Sequence, residues 1–358
     1  MLEIHDSQSP RHRQVAPSRR ASDTDNCPGA TGFIGGQVLH DLLALNKYDI
    51  RALVRDQTRA DVLTAEAKVE TVVADLDSPA LPDIASQFDV VLHLANSDHV
   101  AGVKAIIAGL EKRAATSPGQ KPILIHTSGT AVLLDVENQD KGNVKGDKIY
   151  RDDDLAAYHS LPATQPHKNV DEIVFEAGKR GDIVAVIVAP PTIWGTGEGL
   201  FNVHSIQVPY YIQGCIDVGE GLVLGMGLNT WSLIHVKDMA AGYLTILKAV
   251  LDGNIPSNPL DRYYFCENEE YEQRQVAEEV TRLLYEQGKV KDPKPKSLVW
   301  KDIAPGDSGN PIGMTGGNSR SRAVLLRKLG WSPKKGGNRE FIESIKGEVD
   351  HILGKHSK

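Results

Sequence analysis

Gly29-Ala30-Thr31-Gly32-Phe33-Ile34-Gly35 holds the most chemistry that spacing alone can show in this chain. Glycines let a backbone approach a phosphate closely, and the first amides of a helix lack partners and carry the positive end of its dipole. A GxxGxxG that opens a helix is therefore a pyrophosphate site, with Gly29, Gly32 and Gly35 permitting contact and Thr31, Phe33 and Ile34 shaping it. Other side chains could act on a second molecule. Ser128 and Thr130 follow an apolar run. A hydroxyl at such a strand end either orients a carbonyl or alcohol oxygen or bonds its own turn. His167 could move a proton near neutral pH and Lys168 could supply positive charge. Pro166 just before them reads instead as a helix start with both side chains at the surface.

Weaker signals surround these. His93, His99 and His126 fall near strand ends, but no H-x-x-x-H or carboxylate spacing accompanies them, so no metal is expected. Tyr150 and Tyr158 sit in a loop that could turn a phenol inward. Asp152, Asp153 and Asp154 read as a solvated charge run. Trp194 and Trp231 fit a pocket wall or the core equally.

The elements that must position these groups alternate. An amphipathic helix runs through Phe33, Ile34, Val38, Leu39, Leu42, Leu43 and Leu45. Strands are expected at 48–54, 69–74, 90–94, 122–126 and 183–189, with helices at 100–113 and 170–179. Near-continuous apolar strands alternating with helices indicate a parallel sheet covered on both faces. Beyond Pro190 the alternation stops. Strands at 231–236 and 262–266 and helices at 238–250, 273–286 and 338–352 suggest a smaller carboxy-terminal portion.

The 358 residues carry a net charge of -7, which argues against nucleic acid as a partner. No apolar run reaches the ~18–20 residues that span a bilayer. Cys27, Cys215 and Cys266 are odd in number and lack ligand spacing, so free buried thiols and, by default, a cytoplasmic location are expected. Residues 1–27 are polar and irregular, with no signal-peptide pattern, and are expected to be disordered.

Together the motifs resemble the extended or atypical short-chain dehydrogenase/reductase superfamily, which includes the NAD-dependent epimerase/dehydratases and the NmrA-like proteins. The resemblance spans roughly 29–352 and implies a Rossmann-like NAD(P)-binding fold. It places Asp75 and Leu76 at the adenine, and finds further matches in His93-Leu94-Ala95, Thr127-Ser128-Gly129, His235-Val236-Lys237-Asp238 and Leu329-Gly330-Trp331-Ser332-Pro333. Leu94 and Ala95 would line the cofactor, and Pro190-Pro191-Thr192-Ile193-Trp194-Gly195, through Pro190, Thr192 and Ile193, would pass the nicotinamide.

Two departures stand out. Residues 22–28, where the first strand should lead into the glycines, have almost no β-propensity, and Pro28 cannot join a ladder. Three explanations stay open: an amino terminus from alternative exon choice, which is favoured, a poor strand forced by context, or a degenerate product. The family's Tyr-x-x-x-Lys is also not intact. Anchored on Asp171 the pair becomes Ala163 and His167; anchored on Glu172 it becomes Thr164 and Lys168. Tyr285 with Lys289 lies too far downstream and reads as chance.

The expected fold is an α/β doubly wound parallel sheet with a small carboxy-terminal substrate-binding portion, its first strand poorly encoded. The division is a disordered 1–27, an NAD(P)-binding domain at 28–190 and a substrate portion at 191–358, with about 231–250 returning to the first domain. The expected function is an NAD(P)-dependent oxidoreductase or epimerase/dehydratase acting on a small carbonyl or alcohol, with Ser128, Thr130, His167 and Lys168 as catalytic candidates. The alternative is a non-catalytic NAD(P)-binding redox sensor of NmrA-like type. Arg55 closes the second strand where an acid would bond the ribose 2′-OH, which favours NADP, while Asp56 keeps NAD open. The partner expected is a small molecule, with a homodimer left open.

Overall fold

Runs rich in Val, Ile, Leu and Tyr have little to offer water, and they form the core of a seven-stranded sheet. The computed structural model describes residues 1–6, 29–135, 140–299 and 316–354. In chain order the sheet uses β1 (Leu2–Asp6), β2 (Tyr48–Val54), β3 (Glu70–Val73), β4 (Val90–His93), β5 (Ile123–Thr127), β7 (Val184–Ala189) and β11 (Tyr263–Phe265). Their spatial order is β11-β7-β5-β4-β1-β2-β3. All are mutually parallel except β1, which lies between β4 and β2 and runs antiparallel to both.

The amino terminus thus departs from its expected disorder. Leu2 stands opposite Ala52 on one side and Leu92 on the other, and Met1 and Leu2 are buried. The Met1 carbonyl accepts a hydrogen bond from Leu53 N (3.1 Å). The reason is the neighbours: with the slot empty, β2 and β4 would each leave a row of backbone donors and acceptors unpaired in the middle of the fold. The remainder of the amino-terminal segment, including Cys27 and the 22–28 stretch expected to carry a first strand, lies outside the described residues.

Helices cover the sheet. They are α1 (Phe33–Leu45), α2 (Gln57–Val62), α3 (Leu81–Ala85), α4 (Val100–Thr116), α5 (Ala156–His159), α6 (Lys168–Arg180), α7 (Gln207–Val218) and α8 (Val236–Leu251). The β2-α2-β3 and β4-α4-β5 crossovers progress in opposite directions along the sheet. Right-handed connections therefore put their helices on opposite faces. α1 packs on α8, and α4 packs on α3 and α6.

A second core forms beyond the sheet. Its strands β8 (Thr192–Trp194), β10 (Thr230–His235) and β12 (Glu269–Glu272) make a three-stranded sheet. The pairs β6 (Tyr150–Arg151) with β14 (Ser321–Arg322), and β9 (Leu222–Leu224) with β13 (Lys296–Leu298), flank it. Helices α9 (Gln273–Glu286), α10 (Val324–Lys328) and α11 (Asn338–Ile352) follow. Ile212, Leu233, Val280, Leu284, Phe341 and Ile345 fill this core. Trp194 and Trp231 belong to it too, which assigns both to packing. Among the described residues no helix is long and apolar enough to cross a membrane, and Cys215 and Cys266 are buried free thiols.

Asp152 corrects the reading of a solvated charge run. It is buried and accepts hydrogen bonds from the amides of Phe265 (3.1 Å), Val324 (2.7 Å) and Leu325 (2.9 Å). One carboxylate thus ties the end of β11 to the start of α10, while Asp153 pairs with Arg151 at the surface.

Truncating a fully buried Leu costs about 2–5 kcal/mol. Leu2→Ala is expected to lower the unfolding free energy by that order in denaturant titration. An unchanged midpoint would mean that this segment does not occupy the central slot.

Candidate functional site at the carboxyl edge of the sheet

α1 begins without a side-chain cap. Gly32 is its N-cap, no acidic residue lies in its first turn, and the turn closes by Gly32 N donating to Gly29 O (3.1 Å). The remaining first-turn amides suit an anion. The glycines are required by contact rather than by dihedral angle. A Cβ on Gly35 would sit 1.8 Å from the Gly29 carbonyl oxygen, and one on Gly29 would sit 1.7 Å from Met1 N and 3.8 Å from the Ala95 Cβ. Gly29, Ala95 and the end of β4, including the buried Leu94, therefore form one continuous edge. These residues fit the pyrophosphate of a dinucleotide.

The other cofactor candidates take up positions around this edge. Ile193 and Thr192 lie on β8, with the Thr192 hydroxyl 3.0 Å from Tyr271 OH. The loop that follows crosses α1. Glu198 N donates to Gln37 Oε1 (2.8 Å), Asn202 N to the Thr31 carbonyl (3.4 Å), and Gly199 lies directly against Gly36. Gly197 packs near the Phe33 ring, so this loop bears on Thr31 and Phe33, two residues of the glycine motif. Ile34 is partly buried against the main core. Pro190 accepts the amide of Thr130 (2.9 Å), joining the β5 and β7 ends.

At the end of β2, Arg55 is exposed and has no ion-pair partner among the described residues. Asp56 caps α2 by accepting the Arg59 amide (2.8 Å) and also pairs with the Arg59 guanidinium. Partial burial pushes the Asp56 carboxyl up, but the Arg59 contacts outweigh it and hold the carboxyl below its ordinary range. That carboxylate is already occupied. Asp75 is exposed after β3 and bonds Asp77 N (3.1 Å), while Leu76 packs on Gly102 at the start of α4.

The four catalytic candidates separate. Lys168 is buried, paired with Glu172 and set with its Nζ 4.1 Å over the Tyr158 ring, so it serves the interior. Ser128 is buried and donates to Asp171 Oδ2 (2.9 Å). The same oxygen accepts from Tyr158 OH (2.7 Å) and Tyr263 OH (3.4 Å). Tyr158 has turned inward, but to hold this buried carboxylate, which burial pushes up to about 6. The Thr130 hydroxyl is buried with no partner among the described residues.

His167 is different. It is the N-cap of α6 in the left-handed region, with φ 65°. A non-glycine residue held there costs on the order of 1–3 kcal/mol and persists only where its surroundings impose it. They do: His167 Nδ1 lies 2.7 Å from Asp98 Oδ1 and 3.3 Å from Ser97 Oγ, both just past β4. Asp98, Ser97 and Gly129 were not legible as site residues, although the rule that ligands gather beyond strand ends points to all three.

Two buried histidines stand on the adjoining strand ends. His93 on β4 and His126 on β5 stack 5.0 Å apart with their Nδ1 atoms 2.9 Å from one another. His99 stands apart from them as the N-cap of α4. Burial drives both paired imidazoles to the neutral form, His126 down to about 3 with His167 adding to the effect.

Two predictions follow from these contacts. Gly35→Ala forces the first turn of α1 away from Gly29, so the stabilisation that a bound dinucleotide gives to unfolding should vanish in thermal melts; a retained shift would remove the glycine loop from the site. The histidine pair is neutral when folded, whereas unfolded histidines titrate near 6.5. Its contribution is therefore complete above about pH 6.5 and is lost as pH falls below that, for His126 down to about 3 at about 1.4 kcal/mol per pH unit. His126→Gln should flatten the acid dependence of the unfolding free energy by about one proton, and an unchanged slope would contradict the burial.

Comparison with known proteins agrees with this geometry. Residues 29–153 match the NAD(P)H-binding family and residues 167–257 the NAD dependent epimerase/dehydratase family. The oxidase ucsJ of Acremonium sp is 27% identical over 276 residues, covering 73% of this chain and 78% of the relative. An uncharacterised Schizosaccharomyces pombe protein is 26% identical over 231 residues, 63% of this chain and 71% of its own. Among solved structures, the UDP-glucuronic acid 4-epimerase of Bacillus cereus, in complex with UDP-glucuronic acid and NAD, superposes with a TM-score of 0.62 at 13% identity, over 92% of this chain and 98% of that one. The dTDP-glucose 4,6-dehydratase of Bacillus anthracis, in complex with NAD, gives 0.62 at 15% identity, over 92% and 96%. With its glycine loop, its sheet order and both family matches in agreement, the chain carries an NAD(P)H-binding match at 29–153 and an NAD dependent epimerase/dehydratase match at 167–257 on a Rossmann-like fold.

Proposed function

We propose that the chain is an NADP-dependent oxidoreductase acting on a small carbonyl or alcohol metabolite in the cytoplasm. The observation that carries this reading is the uncapped start of α1, whose Gly29 lies against Ala95 at the carboxyl end of β4. Gly29, Gly32 and Gly35 would hold the pyrophosphate, Asp75 and Leu76 the adenine, and Leu94, Ala95, Pro190, Thr192 and Ile193 the remainder. When bound, the cofactor supplies or takes up a hydride. The chain's own share is to fix the substrate oxygen and screen the reaction from water.

Preference for NADP rests on Arg55 and Asp56. A 2′-phosphate meets an exposed guanidinium without an ion-pair partner among the described residues, while the nearby carboxylate that would repel it is engaged by Arg59. A charge-assisted hydrogen bond contributes about 1.5–3 kcal/mol. Arg55→Ala should accordingly weaken NADPH binding about 10- to 100-fold and leave NADH unchanged, read by titration of each cofactor. Equal loss for both would assign Arg55 no part in choosing between them.

The absence of a phenol at 163 or 164 favours a second reading, a dinucleotide-binding redox sensor without turnover. NADPH oxidation measured against a panel of aldehydes, ketones and nucleotide sugars separates the two. Turnover on any member supports the enzyme. Tight binding with no turnover across the panel supports the sensor.

A further inference from the structure

The phenol that the family places ahead of its lysine is missing, and the helix that would carry it is missing as well. Pro166 disfavours helical dihedrals at Gln165, so α6 starts only at Lys168. His167 occupies the vacated turn. Its left-handed backbone throws the ring back over the sheet edge, away from the interior pair that Lys168 makes with Glu172.

The ring lies in a fitted place. A Cβ on Gly129 would come within 2.9 Å of the His167 Nε2 and 3.2 Å of its Cδ2, so the imidazole sits directly against the glycine backbone and a side chain at 129 would make it shift. Gly129 directly follows Thr127 and Ser128 at the end of β5, and Asp98 lies past the end of β4. The imidazole therefore bridges the two strand ends at which the proposed reaction would occur. Because a carboxylate oxygen can only accept, the 2.7 Å contact with Asp98 makes Nδ1 the donor. In the neutral ring Nε2 then carries the lone pair, and it makes no hydrogen bond among the described residues. The side chain is partly open to solvent, unlike Ser128, Thr130 and Lys168.

We propose that His167 is the proton-transferring catalytic residue of this site and that Asp98 is its positioning residue, together standing in for the absent phenol. The inference rests on the oxidoreductase reading above. In the alcohol-oxidising direction the substrate O–H bond breaks and its proton passes to Nε2. The O–H electron pair forms the carbonyl as the C–H pair departs as hydride to the oxidised nicotinamide dinucleotide that the reading already requires. Reduction runs the same transfers in reverse. Asp98 keeps its proton count throughout, holding Nδ1–H and stabilising the imidazolium while it lasts. His126, Asp98 and Asp171 are the titratable groups whose fields meet the ring, with Lys168 acting on Asp171 from the same helix.

Kinetics on whichever probe carbonyl the NADPH panel identifies, together with histidine side-chain NMR of the full chain, test this. General acid–base catalysis contributes about 10²–10⁴-fold. His167→Gln should lower kcat at least about 100-fold with the NADPH dissociation constant unchanged. His167→Gly, which suits a positive φ, should recover part of that rate with added imidazole. Asp98→Asn should lower kcat less and shift the His167 ring from the Nδ1–H tautomer toward the Nε2–H tautomer. NADP+ should move the His167 ring resonances in the wild-type chain.

Turnover that survives His167→Gln, or a wild-type ring in the Nε2–H tautomer, would overturn the assignment while leaving the oxidoreductase reading in place. NADPH binding with no turnover on any probe would overturn the reading and this inference with it. A His167→Gln protein that does not fold shifts the decision to Asp98→Asn and to the wild-type tautomer.

Discussion

Backbone pairing in the middle of the large sheet is the constraint on which everything else depends. β2 and β4 both need a partner on their inner edges, and an unpaired buried amide or carbonyl costs about 1–3 kcal/mol. Leu2–Asp6 supplies eight facing pairs, five to β2 and three to β4, while running against the direction of every other strand of the sheet. Because it does so, Met1 rather than Asp6 arrives beside Gly29, and the glycine loop packs against the Met1 backbone. The edge proposed for the cofactor is thus built from the end of β4, the backbone of Met1 and the start of α1, which meet at one corner.

The same edge explains how the chemistry is divided. Buried groups near it are committed to the fold: Asp171 gathers three hydroxyls, Lys168 answers Glu172, and the Thr127 hydroxyl bonds Tyr243 OH at 2.6 Å to fix α8. A charged or hydroxylated side chain whose partners lie inside the protein can orient a neighbour but has less left for a ligand. Outside this interior layer stand Arg55, exposed just after β2, and His167, whose Nε2 makes no hydrogen bond among the described residues. That contrast separates side chains committed to the fold from the two to which a role toward a ligand is proposed.

Much of this architecture was legible in the sequence, for identifiable reasons. β2, α9 and α11 carry strong periodicity and clear breaks at both ends, and their expected spans agree with the observed ones. The glycine motif was legible because three glycines at fixed spacing serve a local purpose. β1 was not, since a short polar-apolar strand reads as disorder unless two distant strands demand a partner. Asp152 sat in a run of three acids, and only the folding of Phe265, Val324 and Leu325 around it reveals a buried acceptor. The Asp98–His167 contact spans 69 residues, a separation that no local pattern records.

The most direct test of the account is diffraction from crystals of the full chain grown with saturating NADP+. The account predicts pyrophosphate density on the first-turn amides of α1, the 2′-phosphate at Arg55, and the nicotinamide beside Gly129 and His167. Dinucleotide density elsewhere, or an unliganded glycine loop at saturating cofactor, would contradict it.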